Sequence, residues 1–203
     1  MTLSHSSIWR SFRFWTNRRS HALQYIAVVG LHLLIAIYLS VVLNIGVDDA
    51  YSLDTTSKNF DYTLHQAIHF EIQAPLYFTL LYFWRLINSS IFFARLFSLF
   101  CILLSLYAVD RTARRYLSRV PSIWVVAAVA LHPYTIWAAT LIRVYALAIL
   151  LSVLLMLFFY DGYLSEQPQP RARWLYAVTA VVACYTHAMR NECSRTSQKS
   201  LSA

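Results

Sequence analysis

The stretch SHALQYIAVVGLHLLIAIYLSVVLNIGV, residues 20–47, decides the fold because it runs for 28 residues without Asp, Glu, Lys or Arg. An α-helix needs about 20 predominantly apolar residues to cross the hydrocarbon core of a membrane. The run is longer than the apolar core of a signal peptide and lacks a small-residue cleavage pattern. It therefore predicts a first transmembrane span over residues 22–46.

Three further charge-free runs cover residues 120–142, 144–160 and 174–189. With 59% hydrophobic and only 13% charged residues, the chain has too little charge to cover a soluble core of its size. The sequence thus predicts an all-α, polytopic transmembrane helical bundle of about five spans. The spans are expected at residues 22–46, 91–109, 123–139, 144–160 and 174–186.

The distribution of charge predicts the orientation, because Lys and Arg favour cytoplasmic loops. Residues 1–20 are expected to form a cytoplasmic basic lead-in, and residues 47–90 an outer loop. Within that loop, residues 74–86 are apolar but too short for a span, which indicates a helix lying in the outer interface. The arginine-rich segment 110–119 then lies in the cytoplasm. This pattern predicts a multi-pass protein of the plasma or inner membrane.

The transmembrane domain is expected over residues 21–189, followed by a polar, disordered tail at residues 190–203. The tail interrupts an apolar run, which favours a chain cut short at this point over a natural tail. The three cysteines give no disulfide framework. The net charge of +8 comes mostly from arginines between apolar runs, so it indicates topology and excludes a nucleic-acid-binding face.

Two adjacent carboxylates, Asp48 and Asp49, stand where the first span ends. Carboxylates packed so closely resist full ionisation, and a general base that works near neutral pH needs such a raised affinity for protons. The alternative is that they cap the following helix, for which Asp is well suited.

Arg95 and Arg143 are expected at the same membrane level as the two carboxylates. A charge within a span usually faces the interior of a bundle or a partner, and a guanidinium binds phosphate with two parallel hydrogen bonds. The two arginines therefore predict a clamp on an anionic group. Alternatively, both side chains reach to lipid headgroups at the interface.

Histidines supply only weak candidates for a metal site. His65 and His69 have the i, i+4 spacing that places two ligands on one helical face, but no third ligand is fixed by the pattern. Surface histidines are the favoured interpretation, and a divalent metal is left open as a cofactor. His32 and His132 lie within spans and are expected to make packing hydrogen bonds.

Four motifs in order resemble those of GT-C-fold glycosyltransferases, in particular the protein mannosyltransferase and aminoarabinose transferase-like group (glycosyltransferase family 39). DDAY at residues 48–51 resembles that group's Asp-Glu-Ala-Tyr, and QAPLY at residues 73–77 resembles His-Pro-Pro-Leu-Tyr. ARLFS at residues 94–98 is similar to Leu-Arg-Leu-Pro-Ser, and IRVYAL at residues 142–147 is similar to Ala-Arg-Met-Tyr-Ala-Leu. The chain would correspond to the N-terminal part of such an enzyme.

The resemblance implies transfer of a sugar from a polyprenyl-phosphate donor to a hydroxyl of a glycan, lipid or protein acceptor on the non-cytoplasmic face. It implies a catalytic base at Asp48, with Asp49 second. The implied donor-phosphate ligands are Arg143, Arg95 and Tyr145, and the implied lipid or acceptor groove contains Gln73, Pro75 and Tyr77. The rival interpretation is a non-catalytic membrane protein, either a transporter fragment or a truncated, inactive remnant.

Overall fold

The computed structural model describes residues 5–117 and 119–187, with side chains from residue 20 to residue 186. Every regular element in these ranges is helical, so the all-α prediction is confirmed. The elements are α1 (His5–Val42), α2 (Val47–Thr55), α3 (Phe60–His69), α4 (Leu76–Arg85), α5 (Ile91–Tyr116), α6 (Ser122–Ala130), α7 (Pro133–Thr140), α8 (Tyr145–Phe159), a π-helical turn (Tyr160–Leu164) and α9 (Pro170–His187).

Three helices in the described ranges are long and apolar enough to cross a membrane: Ser20–Val42, Ile91–Tyr116 and Tyr145–Leu164. Helices α6 and α7 add a fourth if the bent pair forms one broken span. The predicted fifth span lies in α9, which does not belong to this set. A helical membrane bundle is consistent with these lengths, whereas the count of five spans stays a prediction.

The predicted span at residues 123–139 is not one continuous helix, because α6 and α7 meet at an angle of 57°. The cause is Pro133, which disfavours a helical backbone at the residue before it. His132 accordingly has ψ 130 and acts as the N-cap of α7, where its side chain accepts a hydrogen bond from the N–H of Tyr134. The chain therefore leaves one helix and starts another within a single apolar run.

The break leaves the carbonyl of Ala130 without its usual helical donor, and α1 supplies a replacement. Nδ1 of the fully buried His32 lies 2.7 Å from that carbonyl oxygen, to which it donates its proton. A buried carbonyl without a partner would be costly, so this bond fixes α1 against the end of α6. The expectation that His32 makes a packing hydrogen bond is confirmed.

Helix α5 is the centre of the bundle and packs against α1, α4, α6, α7 and α8. It is longer than the predicted span at residues 91–109, because it continues to Tyr116. Arg114 and Arg115 thus lie in its last turn, where positive charge interacts favourably with the helix dipole. Ile102 and Leu106, both fully buried, are part of the apolar core around it.

The arginine-rich end of α5 is tied to its neighbours through two buried carboxylates. Asp110 accepts a hydrogen bond from Ser122 at 3.0 Å and pairs with Arg114 at 2.8 Å, and the ring of His21 lies 3.3 Å away. This network joins α1, α5 and α6 at one end of the bundle.

The second carboxylate at that end, Asp161, belongs to the π-helical turn after α8. It pairs with Arg115 at 3.0 Å and accepts a short hydrogen bond from the hydroxyl of Tyr116. One residue on, the carbonyl of Gly162 accepts a hydrogen bond from Nε of Arg173 in α9. The turn therefore links the ends of α5 and α8 to the start of α9.

The predicted outer loop at residues 47–90 consists mainly of the three short helices α2, α3 and α4. Helix α4 has 10 residues, which corresponds to about 15 Å and is too short to span a membrane. Its position in an interface stays a prediction. The lead-in is part of α1, which runs without a break past residue 20, and the tail at residues 190–203 lies outside the described residues.

The hydrogen bond between His32 and Ala130 predicts the effect of a single substitution on stability. The change His32→Ala leaves the Ala130 carbonyl unpaired, at a cost of about 1–3 kcal/mol, and opens a cavity besides. We expect a clear fall in the melting temperature of the detergent-purified protein. Leu34→Ala, at an exposed position of the same helix, is the control, and an equal shift in both variants would contradict the assignment.

Candidate functional site

Five charged side chains converge at the end of the bundle opposite Asp110 and Asp161. They come from four parts of the chain: α2, the α3–α4 connection, the start of α5, and the residues 141–144 that connect α7 to α8. The charged cluster consists of Asp48, Asp49, Glu71, Arg95 and Arg143. The structure thus brings both predicted carboxylates together with both predicted arginines, although the chain separates them by up to 95 residues (Asp48 to Arg143).

Asp49 is the buried member of the adjacent carboxylate pair. Its Oδ1 accepts a hydrogen bond from the backbone N–H of Ile142 at 2.9 Å, and its Oδ2 lies 3.8 Å from Nη2 of Arg95. It also stands in the first turn of α2, where a negative charge is stabilised by the helix dipole. Asp49 therefore joins α2 to the α7–α8 connection, and it has little contact with solvent.

Arg95 closes the C-terminal end of α1. Its Nη1 donates to the carbonyls of Ser40 and Leu43 at 2.6 and 2.9 Å, and its Nη2 donates to the carbonyl of Asn44 at 3.1 Å. The last carbonyls of a helix have no partner within the helix, so a buried guanidinium satisfies them. Arg95 does not reach to a headgroup, since its side chain is buried. These contacts favour a structural role over direct phosphate binding.

Arg143 is held between a buried carboxylate and an exposed one. Its Nη1 donates to Oε2 of Glu71 at 2.8 Å, and its Nη2 lies 3.2 Å from Oδ1 of Asp48. The side chains of Arg143 and Glu71 are 8% and 6% exposed, whereas that of Asp48 is 69% exposed. One face of the guanidinium is therefore fixed by the protein, and the other is covered only by a carboxylate that solvent can reach.

The environment keeps Arg143 charged. Burial by itself lowers the pKa of a guanidinium, but the hydrogen bond and charge of Glu71, followed by those of Asp48, outweigh that effect. The pKa of Arg143 is consequently raised above its usual value. Arg143 thus offers a permanent, partly desolvated positive charge beside an accessible carboxylate.

Glu71 is a functional candidate that the sequence analysis missed. Its flanking residues, Phe70 and Ile72, are large and apolar, and an acidic residue between them is a signal that it is held by a partner. Glu71 Oε1 is buried and has no hydrogen-bond partner among the described residues. The carboxylate therefore has an unused acceptor atom next to Arg143.

The backbone beside Glu71 is strained. Ile72 has φ 51, a left-handed conformation that is unusual for a β-branched residue and costs about 1–3 kcal/mol. Hydrogen bonds on both sides hold it, from the N–H of Glu71 to Gln66 and from the N–H of Gln73 to Ala67, each at 3.0 Å. Strain of this kind often marks a segment whose geometry serves a site.

The predicted lipid or acceptor groove does not have the residues it needs at the surface. Tyr77 is 1% exposed, and its ring contacts Phe78 and Phe97 with centroids 5.3 and 6.0 Å apart. Tyr77 lies on the side of α4 that faces the core, so it does not line a surface groove, and the groove itself stays a prediction. Pro75 is buried at the N-cap position of α4, and Gln73 is half-buried.

The hydroxyl of Tyr77 nevertheless lies among polar groups. It is buried without a hydrogen bond of ordinary geometry in the described ranges, although Ser98 is close to it. Burial raises the pKa of Tyr77 well above its usual value, and the opposing effect of Arg143 does not reverse this. The phenol is therefore neutral and acts as a packing residue under the charged cluster.

Tyr145, the third predicted phosphate ligand, is the first residue of α8 and is half-buried. Its ring contacts Trp137 and Tyr134, with centroids 5.3 and 6.5 Å apart. It stands two residues after Arg143, within an aromatic group rather than within the ion-pair network. Its role as a phosphate ligand stays a prediction.

The exposed rings of His65 and His69 stack on each other with centroids 4.3 Å apart, and Nδ1 of His69 lies 3.0 Å from the carbonyl oxygen of His65. In the described part of the chain, no three His, Cys, Asp or Glu side chains are placed to hold a metal ion together. The geometry thus gives these histidines a local packing contact.

Arg85, a second residue that sequence reasoning passed over, fixes α4 to α2. Its Nη1 donates to the carbonyl of Leu53 at 2.7 Å and to the hydroxyl of Thr56 at 2.5 Å. Because α2 carries Asp48 and Asp49, this contact at the other end of α2 helps to position the two carboxylates. Burial lowers the pKa of Arg85.

Comparison of the chain with protein-family models, with curated protein sequences and with solved structures finds no match. The family resemblance of the four motifs therefore stays a prediction.

The two carboxylates that contact Arg143 should differ in their contribution to stability. Glu71→Gln leaves a buried guanidinium with only its exposed partner, and we expect a loss of about 3 kcal/mol. Asp48→Asn removes a largely exposed partner, for which about 0–1 kcal/mol is expected. Melting temperatures of the purified variants measure the difference.

Glu166→Gln, at an exposed position, controls for the loss of one carboxylate elsewhere on the chain. The assignment of Glu71 as the structural partner of Arg143 fails if Asp48→Asn lowers the melting temperature as much as Glu71→Gln does.

Proposed function

We propose that the chain is a membrane glycosyltransferase, or the part of one that carries its reacting groups, which transfers a sugar from a polyprenyl-phosphate donor to an acceptor hydroxyl. The observation that carries the proposal is the contact between Asp48, which solvent reaches, and Arg143, which is buried and held from behind by Glu71. An accessible carboxylate suits a proton acceptor, and a fixed guanidinium suits a phosphate. Both lie together at one end of a helical bundle.

The reaction needs one base and one anion-binding group. The acceptor oxygen attacks the anomeric carbon, a new carbon–oxygen bond forms, and the bond from that carbon to the phosphate oxygen breaks. The electron pair of the broken bond leaves with the lipid phosphate, and the proton of the acceptor hydroxyl moves to Asp48. Because the phosphate is a stable leaving group, no general acid is required.

Asp48 and the donor phosphate would compete for the same face of Arg143. Nη2 of Arg143 is 3.2 Å from Oδ1 of Asp48. A phosphate that takes this position frees the Asp48 carboxylate to act as a base next to the reacting carbon. It also places the guanidinium where negative charge grows as the leaving group departs. Binding of the donor phosphate would then also release Asp48 to act as the base.

The remaining members of the charged cluster hold this pair in place. Glu71 orients Arg143, while Arg95 and Asp49 fix the end of α1, the start of α2 and the segment before Arg143. We assign the reacting face to the non-cytoplasmic side, because the segment that carries Asp48 and Glu71 is acidic and the opposite end carries Arg111, Arg114 and Arg115.

The rival function is a non-catalytic membrane protein. One observation favours it: both arginines are already paired with carboxylates, and such a network can serve stability alone. Measurement of sugar transfer separates the two functions.

The substitution Asp48→Asn should reduce transfer by at least about 100-fold, the lower range for loss of a general base, and leave membrane insertion intact. The measurement uses membranes that contain the full chain and a set of radiolabelled undecaprenyl-phosphate sugars (glucose, mannose and arabinose). Transfer is followed as label that leaves the donor fraction.

Asp61→Asn is the matched control, since Asp61 is exposed in the first turn of α3 and lies outside the charged cluster. Full activity in Asp48→Asn would rule out Asp48 as the base. Absence of transfer from every donor by the wild-type chain, in membranes where it is inserted, would favour the non-catalytic function.

A further inference from the structure

Three aromatic rings from the two helices that flank the Arg143 segment contact one another. The ring of Trp137 contacts those of Tyr134 and Tyr145, with centroids 5.4 and 5.3 Å apart, and the two tyrosines are 6.5 Å apart. Tyr134 and Trp137 are each nearly half exposed, with 45% for Trp137. The aromatic platform, as we name these three residues, is therefore an ordered surface that a ligand can reach.

The platform stands on both sides of the segment that carries Arg143. Tyr134 and Trp137 lie one turn apart in α7, and Tyr145 begins α8 immediately after the connection at residues 141–144. The backbone of that connection is fixed, because the N–H of Ile142 donates to Asp49 and the carbonyl of Leu141 accepts from Ser98. The rings and the guanidinium are thus parts of one rigid unit.

An interfacial belt is the simplest reason for exposed aromatic residues in a membrane protein. Trp124 gives an internal comparison, because it belongs to the other half of the same bent pair, is 69% exposed and contacts no other ring in the described ranges. Trp124 fits a belt residue that faces lipid singly. Trp137 differs, since two partners hold its ring and leave one part of it open.

We propose that the aromatic platform binds the apolar face of the sugar ring of the donor, an inference that rests on the proposed function. The faces of sugar rings carry C–H groups, which are attracted to the negative face of an aromatic ring. A sugar is joined to its lipid phosphate through a single oxygen. A group that binds the sugar must therefore lie next to the phosphate ligand, as Tyr145 does in following Arg143 by two residues.

The platform gives the site a means to distinguish a lipid phosphate that carries a sugar from one that does not. Arg143 recognises the phosphate, which every polyprenyl phosphate has, including the product that leaves after transfer. The rings recognise only the sugar, which the product lacks. Contact with the platform therefore favours binding of the polyprenyl-phosphate sugar over the sugar-free polyprenyl phosphate. The sugar-free product lacks this contact and dissociates more easily.

The experiment measures binding of undecaprenyl phosphate, with and without glucose, mannose or arabinose, to the full chain in lipid nanodiscs. We expect wild-type protein to bind at least one sugar-bearing lipid more tightly than the sugar-free lipid. Trp137→Ala should weaken binding of that lipid by about three- to tenfold and leave binding of the sugar-free lipid unchanged. Trp137→Phe, which keeps a ring, should recover most of the loss.

Trp124→Ala is the matched control and should change neither affinity. Arg143→Gln should weaken both lipids, which separates the phosphate contact from the sugar contact. An equal loss for both lipids in Trp137→Ala would overturn the proposal, because it would assign Trp137 to the lipid or to the interface.

Three further outcomes also decide the matter. If Trp137→Ala weakens binding of free methyl glycosides but not of the lipid-linked sugar, the platform serves an acceptor glycan, and the donor assignment is overturned. If the wild-type chain binds none of the lipid phosphates, the proposed function fails together with the platform. If it binds them in a manner that depends on Arg143 but not on Trp137, the platform alone fails.

Discussion

The buried guanidinium of Arg95 is the contact on which the rest of this end of the molecule depends. It satisfies three carbonyls where α1 ends and approaches Asp49, which in turn holds the N–H of Ile142. Unpaired helix-terminal carbonyls are especially costly where water is scarce. One side chain therefore completes α1 and, through Asp49, sets where α2 and the α7–α8 connection lie. The accessible part of the site is built on this fixed base.

The charged cluster has a fixed part around Arg95 and a part around Arg143 in which one ion-pair partner, Asp48, can be replaced by a ligand. Its three carboxylates and two guanidiniums leave one negative charge in excess, and Asp48 is the exposed member. Around Arg95 every strong contact is internal. Around Arg143 one contact is internal, with Glu71, and the other faces solvent. The same residue types thus serve different purposes, and burial decides which.

Sequence patterns predicted those properties that depend on composition over long windows. The helical class follows from long charge-free runs, and the expectation that Asp48 and Arg143 lie at one end of the bundle came from the predicted order of the spans. The bend after Ala130 was missed because hydropathy averages across Pro133, although the proline itself was a visible signal. Averaged hydropathy indicated one span, whereas Pro133 indicated a break in the helix, and the proline determined the backbone.

Side-chain direction and distant pairing were beyond sequence reasoning for a different reason. The partner of Arg143, Glu71, lies 72 residues earlier in the chain and in no repeating pattern with it. The burial of Tyr77 depends on which face of a short helix meets α5, and α4 is apolar on nearly every side. Both features depend on how distant segments pack, so they could not be predicted from the pattern of a single sequence.

The left-handed backbone of Ile72 affects the stability of the segment that carries Glu71. Glycine would adopt this conformation without strain, whereas an isoleucine whose side chain is partly exposed recovers little of the energy by burial. The backbone hydrogen bonds of Glu71 to Gln66 and of Gln73 to Ala67 hold the segment in this state. The placement of Glu71 beside Arg143 is therefore maintained at a cost in folding stability, which these backbone contacts and the buried ion pair offset.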